Sequence, residues 1–371
     1  MAEFSVAIIG SGIIGTSTAL ALQSDGHQVI LLDRDGPCAG ASFGNAGAIV
    51  NGSCVPTAMP GIVLDAIQMI ARASSPLSIK PAYLLHAIPW FTRFLLESRQ
   101  AKVLQNAINL HALTRHAAEG WRQLTNNTTL SQLLSESGWL KVYETHRSFE
   151  GTAAARKLMD EIGTRYEILD ASQIQDLEPK LAPVFNYGIF QSDSLRIVNP
   201  QREVQGMVDL LVSRGGTYKQ FDANSIDIVH KGSAGEKVRI KNSQAELITD
   251  KVVIAAGAWS RPLVKQMGDD VPLDTERGYH LMLPVENSEL LSRPVVNGES
   301  SFVLSPMENG LRMTSQVEFA GLKAAPDYRT VRSLLPKAKR MLPELQAREE
   351  SVWLGFRPSL PDSLPVLGFS S

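Results

Sequence analysis

The chain has 371 residues, 44% of them hydrophobic and 20% charged, with a formal net charge of -2 and a pI near 6.4. This is ordinary globular composition, long enough for two cores or one large split core, and its charge balance leaves no electrostatic footprint for nucleic acid. The two cysteines, Cys38 and Cys54, fit neither a C-x-x-C motif nor a zinc site and cannot build a disulfide framework, so both are expected as reduced, buried thiols.

The opening Met1-Ala2-Glu3-Phe4 lacks the basic start of a signal peptide, and no run approaches the roughly 20 apolar residues that span a bilayer. The protein is therefore expected in the cytoplasm, with peripheral contact at the inner face of the membrane left open. Residues 6–9 and 28–32 read as short parallel strands buried on both faces. Between them, 13–24 has the apolar and small residues of a helix packed closely on a sheet. Residues 36–52, rich in Gly, Ala, Ser and Asn, read as loop, and helical patterns then run to about Thr125. Within these, YLLHAIPWFTRFLL at 83–96 reads as a buried helix broken at Pro89, with an amphipathic interfacial helix as the alternative.

A strand is expected at 139–143, a helix at 149–162 and a strand at 188–191. A helix at 200–214 follows, with Pro200 at its first position and Gly215-Gly216 as its stop. Short strands read at 217–221, 226–230, 237–240 and 251–255. The last third (279–283, 302–304, 311–314, 352–356) reads as an antiparallel sheet interrupted by a helix at 327–341. Doubly wound chains alternate strand and helix throughout, whereas this one stops after a single βαβ unit.

Gly10-Ser11-Gly12-Ile13-Ile14-Gly15 fits G-x-G-x-x-G directly after the Ile9 strand end and at a helix start. The first glycine makes the tight turn, the second admits a pyrophosphate to the backbone, and the third lets helix and strand pack closely. An anion there meets N–H groups and the positive end of the helix dipole. Asp33 ends the second strand, where a carboxylate can accept from ribose hydroxyls, with Arg34 beside it. After Asp33 a nicotinamide-binding domain would continue into another helix and strand. Here the chain enters Ala41-Ser42-Phe43-Gly44-Asn45-Ala46-Gly47, small residues suited to a flat ring or a phosphate. An apolar strand returns only at 252–255, followed by Ala256-Gly257-Ala258-Trp259. A nucleotide domain split in this way favours FAD.

VAIIGSGIIG, ASFGNAGAI, VVIAAGAWSRPL, RGYHL and WLGFRPSLPDSLPVLG, in that order over nearly the whole chain, resemble the FAD-dependent D-amino acid oxidase/dehydrogenase superfamily, most of all its bacterial D-amino acid dehydrogenases. The resemblance implies a fold of class α/β, α+β overall. A split Rossmann-like FAD-binding domain (1–75, 150–265 and 350–371) would join a substrate domain on a mixed, largely antiparallel sheet (76–149 and 266–349). It implies oxidative deamination: a D-amino or cyclic imino acid gives an imine and then a keto acid, and electrons pass from FAD to a quinone, a carrier or oxygen. By position, Ile9, Gly10, Gly12, Ile13, Ile14 and Gly15 match the pyrophosphate loop, and Asp33 and Arg34 the ribose end. Ala41, Ser42, Asn45, Ala46 and Gly47 match the loop beneath the flavin, and Ala256, Gly257 and Trp259 the second FAD-contact turn. The family pattern continues past Phe369-Ser370-Ser371 with a strand, a Gly-His-Gly-like turn and a helix whose start faces the flavin; a chain without them is expected to hold FAD less tightly.

Arg357 matches the arginine that clamps the substrate carboxylate, a task suited to a planar, bidentate guanidinium. Tyr279 and His280 lie on one strand and point to opposite faces; Tyr279 is the preferred carboxylate or amine contact, with the other packing. Arg312 and Glu318, on adjacent strand-like segments, could line the same pocket, with a solvated sheet face the preferred reading. Hydride transfer to a flavin needs placement more than acid–base groups, and no metal motif is present. Two other readings stay open: a glycine- or sarcosine-type oxidase releasing hydrogen peroxide, and a flavin-poor, non-catalytic subunit.

Overall fold

The computed structural model describes residues 4–61, 77–230, 236–285, 290–349 and 351–370. Its first sheet has four parallel strands in the order Thr217–Gln220, Gln28–Asp33, Ser5–Ile9, Lys251–Ile254. In strand Ser5–Ile9, Val6 to Ile9 are all apolar and buried because both faces are covered. Val6 and Ile8 pack with Leu20 of helix Ile13–Ser24 and with Met207, Val208 and Leu211 of helix Pro200–Ser213. Ala7 and Ile9 pack the other way, against Phe221, Ile226, Ile240 and Leu263. The late return is direct: Val6 to Ile9 align with Lys251 to Ile254. Helix Pro200–Ser213 starts where its sequence says it should, with Asn199 accepting from the Arg202 N–H and Pro200 in the first turn.

The second, larger sheet runs in the order Ser351–Ser359, Asp274–Leu283, Gly310–Phe319, Phe302–Met307, Val295–Asn297, Trp139–Tyr143, Tyr187–Gln191, Glu167–Asp170, with Leu77–Ile79 added alongside Gly310–Phe319. It is antiparallel except for the Val295–Asn297/Trp139–Tyr143 and Leu77–Ile79 pairings. One face carries Leu140, Val142, Leu281, Leu283, Leu304 and Met313, covered by Val331, Leu334, Ala338 and Met341. A three-stranded antiparallel sheet (Ser225–His230, Glu236–Lys241, Glu246–Thr249) flanks the nucleotide sheet.

Several elements differ from the sequence reading. The helix expected at 149–162 divides at Gly151 into His146–Glu150 and Ala153–Ile162. That at 327–341 divides into Arg329–Ser333 and Leu335–Met341, the second with Pro336 in its first turn. Tyr187–Gln191 and Glu167–Asp170, placed by sequence with the nucleotide part, hydrogen-bond into the larger sheet through Trp139–Tyr143, and Ser351–Ser359 joins it beside Asp274–Leu283. Such pairings are non-local, and local pattern does not encode them. Helix Leu84–Glu97 runs unbroken through Pro89. Proline removes the partner of the Leu85 carbonyl, but Leu85 is 81% exposed, so water can take that bond. Nor is the helix buried: within it only Ala87 and Trp90 are. The part of the helical reading at 62–76 lies outside the described residues.

Candidate active site

A cleft of about 670 Å³ lies where the nucleotide sheet meets the larger one. Its first wall is the glycine loop. Gly10 has φ +110°, and a Cβ there would stand 2.3 Å from the Ala255 carbonyl oxygen, so strand end and return turn touch only because Gly10 has no side chain. Gly15 is needed just behind, where a Cβ would meet the Gly10 oxygen at 1.8 Å. No side chain caps the helix at Gly12, and the Ile13 N–H donates to Ser42 Oγ at 2.9 Å. The helix start is thus open to an anion, tied to the following loop by one serine.

Asp33 forms the next stretch of wall, its carboxylate accepting from the Ser11 N–H (2.7 Å), the Asp35 N–H (2.9 Å) and the Gly36 N–H (3.2 Å). A carboxylate has about four acceptor positions, so it can still take a ribose hydroxyl. Arg34 lies over the Trp259 ring at 4.3 Å, and Trp259 meets Phe356 edge-on at 5.3 Å.

The loop at 41–47 is held to the larger sheet by three side chains. Arg312 donates to the Phe43 and Asn45 carbonyls, both at 2.9 Å. His280 Nδ1 lies 3.0 Å from the Gly44 oxygen, and its ring stacks on Trp353 at 5.1 Å. Trp353 in turn fills the space over Gly44, where a Cβ would stand 2.0 Å from its ring. Within the loop, the Gly47 N–H donates to Asn45 Oδ1 at 2.7 Å, and Asn45 Nδ2 donates to the Ser42 carbonyl at 3.1 Å. Burial, reinforced by the Arg312 charge, pushes His280 down to about 4. The imidazole is therefore neutral near pH 7, and its Nδ1–H is the donor to Gly44.

Arg357 lies on the cleft wall of the larger sheet. Strand alternation and the Gly278–Gly355 pairing put Gly278 beneath it: a Cβ at Gly278 would stand 2.2 Å from the guanidinium. Among the described residues its one hydrogen-bond acceptor is the Gln316 carbonyl, at 3.0 Å. Burial lowers the Arg357 pKa, with Glu276 opposing the shift.

Of the sequence-derived positions, Ile9, Gly10, Gly12, Ile13, Ile14, Asp33, Arg34, Ala41, Ser42, Asn45, Ala46, Ala256, Gly257, Trp259, Tyr279 and Arg357 border this cleft. Gly15, Gly47 and His280 stand behind it. Tyr279 borders it only as a residue, because its side chain turns to the core face. There its hydroxyl donates to Glu318 at 2.5 Å and accepts from the Asp327 N–H at 3.2 Å. Tyr279 is 1% exposed and packs edge-on against Tyr328. Arg312 and Glu318, expected on a solvated face, are both buried; Glu318 is paired with Arg277 at 3.3 Å.

The sequence reading missed Gly278, Thr314 and Trp353, and the 221–224 segment, all of which line the cleft. It also missed Glu203, fully buried beside a smaller cavity of about 480 Å³ that shares Ile13, Ile14, Ser42 and Asn45 with the cleft. Burial pushes this carboxyl up to about 7. In sequence it looks like an ordinary acid in a helix first turn.

The cleft can therefore hold a long anionic dinucleotide along the glycine loop, with a flat ring over loop 41–47 and a carboxylate beside Arg357. The glycine cradle, the uncapped helix start and the Asp33 carboxylate all fit FAD. The family model "DAO: FAD dependent oxidoreductase" matches residues 5–371. A D-amino-acid oxidase of Bradyrhizobium diazoefficiens is 31% identical over 98% of this chain and 86% of its own length. A D-amino acid dehydrogenase of Vibrio atlanticus is 28% identical, over 98% of this chain and 88% of its own. Among solved structures, glycine oxidase from Geobacillus kaustophilus superposes with a TM-score of 0.68 at 21% identity, covering 99% of this chain and 86% of that one. This chain belongs to the DAO family of FAD-dependent oxidoreductases.

Proposed function

We propose that this enzyme oxidises the Cα–N bond of D-amino or cyclic imino acids. The observation that carries this reading is Arg357, a desolvated guanidinium seated over Gly278 on the wall of the FAD cleft. When bound, FAD supplies the two-electron acceptor. The chain's own residues supply placement: Arg357 would grip the substrate carboxylate, which fixes the Cα–H within the cleft that would hold FAD. Two electrons and two protons leave the substrate, giving the imine; water then releases ammonia and the keto acid from a primary amine, or opens a cyclic imine to an amino keto acid. His280, neutral and committed to Gly44, and Tyr279, committed to Glu318, serve the frame rather than the proton transfer. When bound, FAD would pass the electrons on to a quinone, a carrier or oxygen, and we infer peripheral contact with a membrane through the exposed face of helix Leu84–Glu97.

The test is anaerobic bleaching of the bound flavin across D-amino acids, D-hydroxyproline, glycine, sarcosine and the L-enantiomers. Bleaching by D-amino or imino acids is expected. Bleaching by glycine and sarcosine alone, with stoichiometric hydrogen peroxide in air, would assign the chain to the glycine-oxidase type instead, and no bleaching by any of them would overturn the reading.

A further inference from the structure

Half of the large hydrophobic side chains that are exposed among the described residues, eight of sixteen, fall between residues 84 and 113. Helix Leu84–Glu97 carries five of them: Leu84, Leu85, Ile88, Leu95 and Leu96, from 43% to 81% exposed. At about 100° per residue these five, with Thr92 between them, cover one continuous stripe about a third of the way round the helix. The opposite side anchors the helix to the body. Ala87 and Trp90 are buried, and Trp90 and Phe91 meet Phe319 at 5.2 and 4.8 Å. The exposed leucines are thus held outward on a fixed helix rather than on a loop that could fold back. Helix Gln100–Thr114 adds Leu104 and Ile108, one turn apart.

The charges around this stripe are one-sided. Residues 77–118 contain five lysines and arginines and a single acid, Glu97, in a chain whose formal net charge is -2. Lys80 is engaged with Glu318 and Asp327, whereas Arg93, Arg99 and Lys102 are exposed; Arg93 lies about 60° round the helix from Leu96, and Arg99 follows the helix end. An exposed apolar helical face in a segment of net positive charge complements an anionic lipid surface: acyl chains take the leucines and headgroups take the cations. A two-fold contact between copies through the same face would bring two segments of net positive charge together, each with only Glu97 to offset its cations.

We propose that helix Leu84–Glu97 is an interfacial anchor that docks the enzyme on an anionic lipid bilayer. This deepens the membrane contact named above and does not depend on the substrate assigned. Vesicle flotation of the full FAD-loaded chain tests it, with pure phosphatidylcholine against phosphatidylcholine mixed with phosphatidylglycerol. The wild type is expected to float with the mixed vesicles, at least about tenfold more than with the neutral ones, and to lose most of the difference in high salt. The joint variant L85E/I88E/L96E and, separately, R93E/R99E/K102E are each expected to lose at least about tenfold in binding, with FAD content and flavin bleaching as in the wild type. Absence of wild-type binding to the mixed vesicles, or binding unchanged in both variants, would overturn the proposal. So would a dimer in solution that the leucine variant converts to monomer, because the face would then belong to a second copy. Flavin bleaching is read separately, so failure of the anchor and failure of the substrate assignment are distinguishable.

Discussion

Arg357 has room on the cleft wall because the residue beneath it on the paired strand, Gly278, carries no side chain. Arg357 stands in Gly355-Phe356-Arg357-Pro358, and the physical case for a bidentate cation can be made from the residue type alone. That Gly278 must lack a side chain for Arg357 to sit there follows only from antiparallel pairing of strands about 80 residues apart. Strand alternation likewise says that Tyr279 and His280 face opposite ways, but not which of them faces the cleft. The outcome is set by what covers each face: loop 41–47 with Trp353 on one side, and Tyr328 with the short helices on the other. Two substitutions separate the clamp from its seat. Arg357→Lys keeps the charge and loses the fork, so the expected loss in kcat/KM is about 2–5 kcal/mol, carried mainly by KM. Gly278→Ala pushes on the guanidinium and should shift KM the same way while FAD stays bound. Steady-state kinetics beside the flavin spectrum check both; a Gly278→Ala enzyme with wild-type KM would mean that Arg357 does not hold the substrate.

Among the elements, those whose code is local were read correctly. The βαβ opening, helix Pro200–Ser213 with its asparagine cap, and the short central strands all announce themselves by period and punctuation. Helices divided by one glycine or proline were read as continuous, and the proline-containing helix was read as broken, because its outcome depends on whether water reaches one carbonyl. Loop 41–47 is the element whose attachment matters most, and that attachment is histidine-dependent. In the folded state His280 has its pKa depressed to about 4, against about 6.5 for an unperturbed imidazole. Between those values the unfolded chain binds a proton that the folded chain refuses. The stabilisation from a neutral His280 is therefore complete above about pH 6.5 and is lost as pH falls towards 4. Apoprotein melting temperature should fall over that window, and His280→Asn, which keeps a donor without titrating, should flatten the fall. An Asn variant with the wild-type pH profile would assign the acid sensitivity to other groups.

For the whole molecule, the sequence correctly indicated a nucleotide domain interrupted by other structure, but not the shape of the larger sheet, assembled from segments as far apart as Leu77–Ile79 and Ser351–Ser359. The candidate cleft lies on that seam. Gly10, Asp33 and Gly257 come from the nucleotide sheet and its turns, while Gly278, Thr314 and Trp353 come from the larger sheet. A ligand that touches both walls favours their joint folded state over either sheet opening alone. One that rests only on the glycine loop protects the first wall and leaves the second unchanged. At about a hundredfold excess over its dissociation constant, FAD should stabilise the apoprotein by about 2.7 kcal/mol. Hydrogen exchange shows where that stabilisation is felt. Peptides covering Ser5–Ile9 and Ser351–Ser359, one from each wall, should slow together when FAD is added to the apoprotein. Slowing confined to the Ser5–Ile9 peptide would mean that FAD is held by the nucleotide wall alone and that the larger sheet does not form its second wall in solution.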